Sequence, residues 1–243
     1  MSPLDSDPLP ADEVGMLEGI TTTRAIRRYK REPVPPDALR AMFFAATRAP
    51  SGSNRQPFRF IVLTDGPKAR EAKRIIGASA REMWGHKRAG DGYDRGSGVD
   101  DDSPKARVAN TMQHFVEQFE HVPVLVLPCL VRYRDPAPME GASIYPACQN
   151  LLLAARALGY GGAFTGWHYA VEGQLRELLG IPGGVFMAGT ITIGKPEGHQ
   201  GPVRRRPISE LIYGEGWENP PVWAIDPPGT QFTSAGPPRT SPT

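Results

Sequence analysis

Several things are scarce in this chain. Among 243 residues there are two cysteines, Cys129 and Cys148, and both sit in apolar stretches. They form no CxxC pair and no disulfide framework, a usage that suits a reducing cytoplasm. No run reaches 18 apolar residues, so a membrane-spanning helix is not expected. Charge of one sign is also lacking. The 28 Lys and Arg against 26 Asp and Glu leave a net +2, which is too little to point to nucleic acid or an anionic membrane as partner. The N-terminal MSPLDSDPLPADEV is acidic and Pro-rich, without the basic start and apolar run of a secretory signal.

The familiar catalytic motifs are missing too. The five histidines, His86, His114, His121, His168 and His199, make no HExxH and no Cys/His zinc spacing, so no metal centre is expected and surface or capping roles are the better reading. Ser51 and Ser53 lie outside any GxSxG elbow. The Gly-rich GYGG at 159–162 follows a helix rather than a strand, so it is not the dinucleotide fingerprint, which needs strand, turn and helix in that order.

What is present suits a globular domain: 40% hydrophobic and 22% charged residues. Residues 1–12 read as a flexible arm. Residues 13–217 read as one domain, and 218–243 as a Pro-rich extension too broken by Pro and Gly to build a helix or central strand. Between those ends helix and strand alternate. PPDALRAMFFAATR carries Leu39, Met42, Phe43 and Ala46 at helical spacing, followed by the strand FRFIVLT. PKAREAKRIIGASAREMW is a helix with Pro67 in its first turn, and 85–103 is a long polar loop. Further helices are PKARVANTMQHFVEQFE, GASIYPACQNLLLAARALG with Gly159 as stop, VEGQLRELLG ending at Gly180, and a short PISELIYG. VPVLVLPCLV and GVFMAGTITIG read as buried strands, and Pro128 marks the first as an edge strand or a bulge. The pattern predicts a layered α/β or α+β domain without fixing strand order.

Two features ask for a function. ATRAPSGSNRQPFRFIVL, 45–62, packs two serines, an Asn, a Gln and two prolines into one helix-to-strand turn. Basic residues cluster at TTTRAIRRYKR, 21–31, and at PVRRRP, 202–207. Arg offers forked donors suited to phosphate oxygens, and the low net charge favours one small phosphate ligand over a polymer.

These stretches, with LLLAARALGYGGAFTGWH and ITIGKPEG…RRRPISELIYG, resemble the FMN-dependent nitroreductase family over roughly residues 18–216, in order and spacing. The matching residues are Arg24, Ala25, Arg27 and Tyr29, then Pro33-Val34, then Ala49-Pro50-Ser51, Asn54, Gln56, Pro57 and Phe58. The resemblance implies an α+β fold with a central, mostly antiparallel sheet flanked by helices, in an intertwined homodimer. It implies FMN as cofactor and NADH or NADPH as co-substrate, with a nitroaromatic, quinone or similar small molecule as acceptor in ping-pong chemistry. The implied flavin contacts are Arg24, Ala25, Arg27 and Arg28 from the basic segment, and Pro50, Ser51, Gly52, Ser53, Asn54 and Gln56 from the turn of the other subunit. Gly162, Thr165, Gly166 and Arg205 complete them, with Arg204 or Arg206 as alternatives to Arg205. No catalytic acid or base is implied. Ala25 departs from the family's Ser, and Phe58 from its Trp. A flavin-sequestering protein without turnover, or a flavin-fragmenting or dehalogenating relative, are the alternative readings. The loop 85–103 is expected to border the cavity, and the apolar tail from about Gly214 to Ile225 to run extended over the partner, with 234–243 loose.

Overall fold

The computed structural model describes residues 8–199 and 201–233. By contact the chain divides after His199 into two compact units, whereas the composition change alone suggested a boundary at 217. Residues 8–12 carry no helix or strand; the rest of the N-terminal arm and the stretch 234–243 lie outside the described residues.

The first unit is an antiparallel sheet covered by helices on both faces. Five strands form it: β1 (Phe58–Leu63), β2 (Val124–Val131), β3 (Gly161–Thr165), β4 (Val185–Met187) and β5 (Thr190–Gly194). The order is β1-β2-β5-β3, with β4 also pairing β2 and all pairings antiparallel. Six helices join them: α1 (Met16–Thr22), α2 (Pro36–Ala46), α3 (Pro67–Gly90), α4 (Pro104–Glu117), α5 (Tyr145–Ala157) and α6 (Glu172–Leu179). Proline opens α2, α3, α4 and α5 within their first two positions, where its missing N–H costs nothing. Ser103 caps α4 by accepting from Ala106 N at 2.9 Å. Gly180 ends α6 in the left-handed region.

β2 is apolar along nearly its whole length because both faces are covered. Leu125, Leu127 and Cys129 join a core with α3, α4 and α6 through Ile76, Phe115 and Leu175, and with Phe119 just after α4. Val124, Val126 and Leu130 face the other core, with Met42 of α2 and Leu151 of α5. Pro128 is not on an edge strand, as one of the two sequence readings had it. It sits in the central strand opposite Phe60, where β4 stops and β5 has not begun. There the Ala188 N–H donates to its carbonyl at 2.8 Å. The expected single strand over GVFMAGTITIG is thus two, broken at Ala188-Gly189. Both cysteines are buried, and burial pushes their thiols up, Cys129 to about 11 and Cys148 to about 12, so neither is a ready nucleophile.

Three sequence readings change. α3 runs to Gly90, so the first part of the 85–103 loop is helix; its end carries Lys87 and Arg88, which favour a helix C-terminus. α1 and β3 were not foreseen, since each is short and lacks strong periodicity. The PISELIYG helix reduces to a single 3₁₀ turn, Ile208–Glu210.

The second unit, described from residue 201 to 233, has no strand or α-helix among the described residues. A bridge joins Arg205 to Phe232, Asp226 accepts from Ile208 N at 3.0 Å, and Asn219 closes a turn on Gly214 in both directions at 2.7 and 2.9 Å. The expected extended run over 214–225 is therefore interrupted. Glu215 and Glu218 take positive φ within this turn.

Lys73 ties the sheet to α3. Its buried ammonium donates to the carbonyls of Thr64, Val122 and Pro123 at 2.6, 2.7 and 3.3 Å, capping the end of β1 and the approach to β2. Lys73→Met keeps the stem and orphans these carbonyls. It should lower unfolding free energy in urea by about 1–3 kcal/mol with an unchanged m value.

Candidate functional site

The basic segment is held in extended form across the end of β3 and β5. Ile26 N donates to Gly162 O at 2.9 Å, Lys30 N to Lys195 O at 2.9 Å, and Glu197 N to Arg28 O at 3.2 Å. Tyr29 anchors it: its hydroxyl bonds Ile26 O at 2.5 Å and Thr192 Oγ1 at 2.8 Å, and its ring meets Phe115 edge-on at 6.3 Å. Gly194 permits this, because a Cβ there would stand 2.9 Å from the Tyr29 ring.

That anchoring turns Arg27 inward. Arg27 lines a cavity of about 270 Å³ with Tyr29, Arg31, His114, Phe115, Gln118, His121, Val122 and Glu197. Burial pushes the guanidinium below its usual range, with Arg24 acting in the same sense against Tyr29. Its Nε is buried with no hydrogen-bond partner, one of two such side-chain atoms among the described residues. Such a group is costly unless something pairs with it. Arg24, Ala25 and Arg28 are exposed. His114, Gln118, His121 and Glu197 join this cavity unforeseen. They come from chain segments far apart, and nothing in the amphipathic pattern of α4 marks its polar positions as cavity-lining.

The turn before β1 is strained and exposed. Ser53, Asn54 and Gln56 all have positive φ, at 52°, 50° and 49°. Non-glycine residues are uncommon there, and a run of them points to function. Local bonds hold the shape: Ser51 Oγ accepts from Gln56 N at 2.9 Å, Gly52 N donates to Ser143 Oγ at 3.2 Å, and Gln56 Nε2 donates to Asn54 Oδ1 at 3.2 Å. Pro57 and Phe58 are buried behind it, while Gly52, Ser53, Asn54 and Gln56 face solvent. Pro50 is exposed at its start.

Thr165 closes β3, its hydroxyl bonded to that of Thr190, and Gly166 follows beneath the Tyr169 ring, where a Cβ would come within 2.7 Å. Gly162 has a packing reason of its own, since a Cβ would meet Thr192 O at 2.5 Å. In the second unit Arg206 pairs with Glu210, and Arg204 donates to Gln231 at 3.1 Å. Arg205 has no acidic partner among the described residues and donates to Arg204 O at 2.9 Å.

One chain does not bring its two main candidates together. Val122, just before β2, lines the Arg27 cavity. At the far end of β2, Val131 N donates to Pro57 O at 2.9 Å, beside the strained turn. The strand between them spans about 23 Å at ~3.3 Å per residue.

A two-sided antiparallel sheet flanked by helices, with a basic segment at one end and a polar, strained turn at the other, defines an α+β fold. The chain belongs to the nitroreductase family, whose profile matches residues 20–195. It is similar to a provisionally named NADH dehydrogenase/NAD(P)H nitroreductase of Archaeoglobus fulgidus, 30% identical over 183 residues, covering 74% of this chain and 85% of that one. Among solved structures it resembles a provisionally named nitroreductase in complex with FMN from Desulfovibrio desulfuricans. That match has TM-score 0.59 and 27% identity, over 84% of this chain and 99% of the other. The fold is also that of an FMN- and NADPH-dependent nitroreductase from Sphigopyxis sp. strain HMH, with TM-score 0.63 and 22% identity over 84% and 100%. No helix among the described residues is long and apolar enough to cross a membrane.

His168 corrects the expectation of surface histidines. It is fully buried, with Nε2 3.0 Å from Met187 O and Nδ1 unpartnered. Burial lowers its pKa from the ordinary value of 6.5, against the Met187 bond, which raises it. The unfolded chain therefore takes up a proton that the folded chain resists. The stabilisation is complete above pH 6.5 and is lost as pH falls below it, at up to about 1.4 kcal/mol per pH unit. Urea unfolding between pH 5 and 7 should show this slope, and His168→Gln should flatten it.

Proposed function

We propose that the protein is an FMN-dependent oxidoreductase of the nitroreductase type. It would pass reducing equivalents from NADH or NADPH to a nitroaromatic, quinone or similar small acceptor in alternating half-reactions. The observation that carries this reading is the buried, unpartnered Nε of the Arg27 guanidinium beside a cavity of about 270 Å³. It is a cation in want of an anion or of ring oxygens, on the segment that carries the family's motif.

When bound, FMN supplies the hydride-accepting ring. The chain's own part is to bind and orient it. Arg27, with His114 and Gln118 beside it, offers donors to phosphate or to the polar edge of the ring. Arg24, Ala25 and Arg28 flank it, and Arg205, the arginine of its trio without an acidic partner, would add a second cation. The Ser51, Ser53, Asn54 and Gln56 side chains and the Pro50-Ser51-Gly52 backbone offer neutral polar groups, matched to a ring that is polar without being charged. The Thr165–Gly166 backbone would lie against the ring. No side chain is assigned as acid or base.

The distance along β2 bears on assembly. A single cofactor reaching both the Arg27 cavity and the Ser53–Gln56 turn is served best by the cavity of one copy and the turn of another, so the working unit is a homodimer. The tail residues Trp217, Val222, Trp223 and Ile225, 69–93% exposed, supply apolar surface for such an assembly.

The purified protein should be yellow and should bleach under anaerobic NADH or NADPH, recovering its colour when a nitroaromatic is added. Bound flavin that neither nucleotide bleaches would favour sequestration, and a colourless protein that takes up no FMN would sink the reading. Arg27→Ala should weaken FMN by roughly 10- to 100-fold, as the loss of charge-assisted bonds implies. Asn54→Ala should weaken it through the ring. Refolding the two variants together tests the shared site. Mixed dimers would carry one intact site and recover FMN binding, whereas a site within one chain leaves every copy damaged and recovers nothing.

A further inference from the structure

Three exposed aromatic rings beside Thr165 and Gly166 belong to neither core. Phe164, 41% exposed, lies against the Gly189 backbone, where a Cβ would come within 2.4 Å of its ring. Tyr145, at the start of α5 and 43% exposed, meets Phe164 edge-on at 5.9 Å and 78°, and covers Gly141 in the same way at 2.6 Å. Tyr169, 57% exposed, lies over Gly166 and meets the buried His168 ring at 4.2 Å with a tilt of 36°. Each ring thus leans on a glycine whose missing side chain makes room for it, and Tyr169 is held from behind by a histidine that is itself tied to β4. These are fixed rings, yet all three faces are open.

Their polar ends are open as well. Neither the Tyr145 nor the Tyr169 hydroxyl hydrogen-bonds any described residue. The two phenols are neighbours: burial first, then Tyr169, pushes the Tyr145 phenol upward, so it remains a donor at neutral pH. The nearby Arg132 is held by Glu140 through two bonds at 2.9 and 2.7 Å, so that arginine is engaged. Rigid rings with open donors suit a planar aromatic that carries an oxygen acceptor.

We propose that Tyr145, Phe164 and Tyr169 form the subsite for the oxidising substrate. Its ring packs against theirs, and its nitro or quinone oxygen accepts a hydrogen bond from Tyr169 or Tyr145. This rests on the reading that Thr165 and Gly166 face the flavin, since it places the acceptor beside that edge.

The test is calorimetric titration of nitrobenzene into the full-length protein as purified, oxidised and without reductant. Tyr169→Ala should weaken binding about tenfold or more through the lost ring contact. The milder Tyr169→Phe and Tyr145→Phe, which keep every packing contact, should together weaken it about three- to tenfold through the lost hydrogen bonds. FMN content should stay at the wild-type level in all of them. Unchanged nitrobenzene affinity overturns the proposal. A fall in FMN content that parallels the loss of nitrobenzene assigns the rings to the cofactor, and a fall in the dimer fraction assigns them to an interface; either also overturns it. The underlying flavin reading fails separately, on a colourless wild-type protein.

Discussion

The strand β2 is buried on both faces, and that one constraint orders the rest of the first unit. A strand with helices on either side has no solvent face on which to place a charge, so Val124–Val131 is apolar almost throughout. Its odd and even residues feed different cores, one under α3, α4 and α6, the other under α2 and α5. Nothing polar can then be housed along it. The groups with chemistry to offer are pushed to its two ends: the Arg27 cavity at the start, the turn that precedes β1 at the finish. The distance between them is set by a strand length that packing requires.

At each end the chain accepts a local cost that packing alone does not explain. At one, a guanidinium is drawn out of water by the Tyr29 anchor and left with an unpaired nitrogen. At the other, three non-glycine residues stand in the left-handed region within four positions. Most of the described chain obeys ordinary rules: prolines open helices, glycines close them, and the buried Lys73 ammonium is met by three carbonyls; the other departures are the unpaired Nδ1 of His168 and the positive φ of Glu215 and Glu218. Departures gathered at the two ends of β2, in a chain otherwise largely consistent, are expected where binding rather than stability shaped the sequence.

Much of this was legible beforehand, and what was not has physical reasons. The long helices showed in their periodicity, and β1 and β2 in apolar runs bounded by turn residues. β3 did not, because GGAFT has two glycines and no alternation, and its strand form comes from pairing with β5. Pro128 pointed to an edge strand or a bulge; the central strand accepts it because the neighbouring strand breaks opposite. The motif residues of the basic segment and turn were readable one by one. The cavity was not, because His114, Gln118 and Glu197 reach Arg27 only through the docking of α4 and of the segment after β5. His168 looked like any surface histidine, since its burial comes from packing against β4, where Met187 O meets its ring, and not from its own flanks.

The same comparison explains why the two ends of β2 are so unlike. A guanidinium is a strong, long-range attractor, and burial strengthens it by removing competing water. The Ser53–Gln56 turn attracts weakly, yet its donors and acceptors point in directions fixed by a backbone that resists relaxing. On the proposed reading, capture and orientation fall to different chain segments, and the apolar strand keeps them from neutralising one another. Were the turn's amides beside Arg27 in the same copy, they would satisfy its Nε internally and the cation would lose its need for a ligand. With an apolar strand between them, each surface stays unsatisfied until something arrives that can meet both. This is how a site divided between two copies of one chain, as proposed here, would hold its cofactor without collapsing on itself.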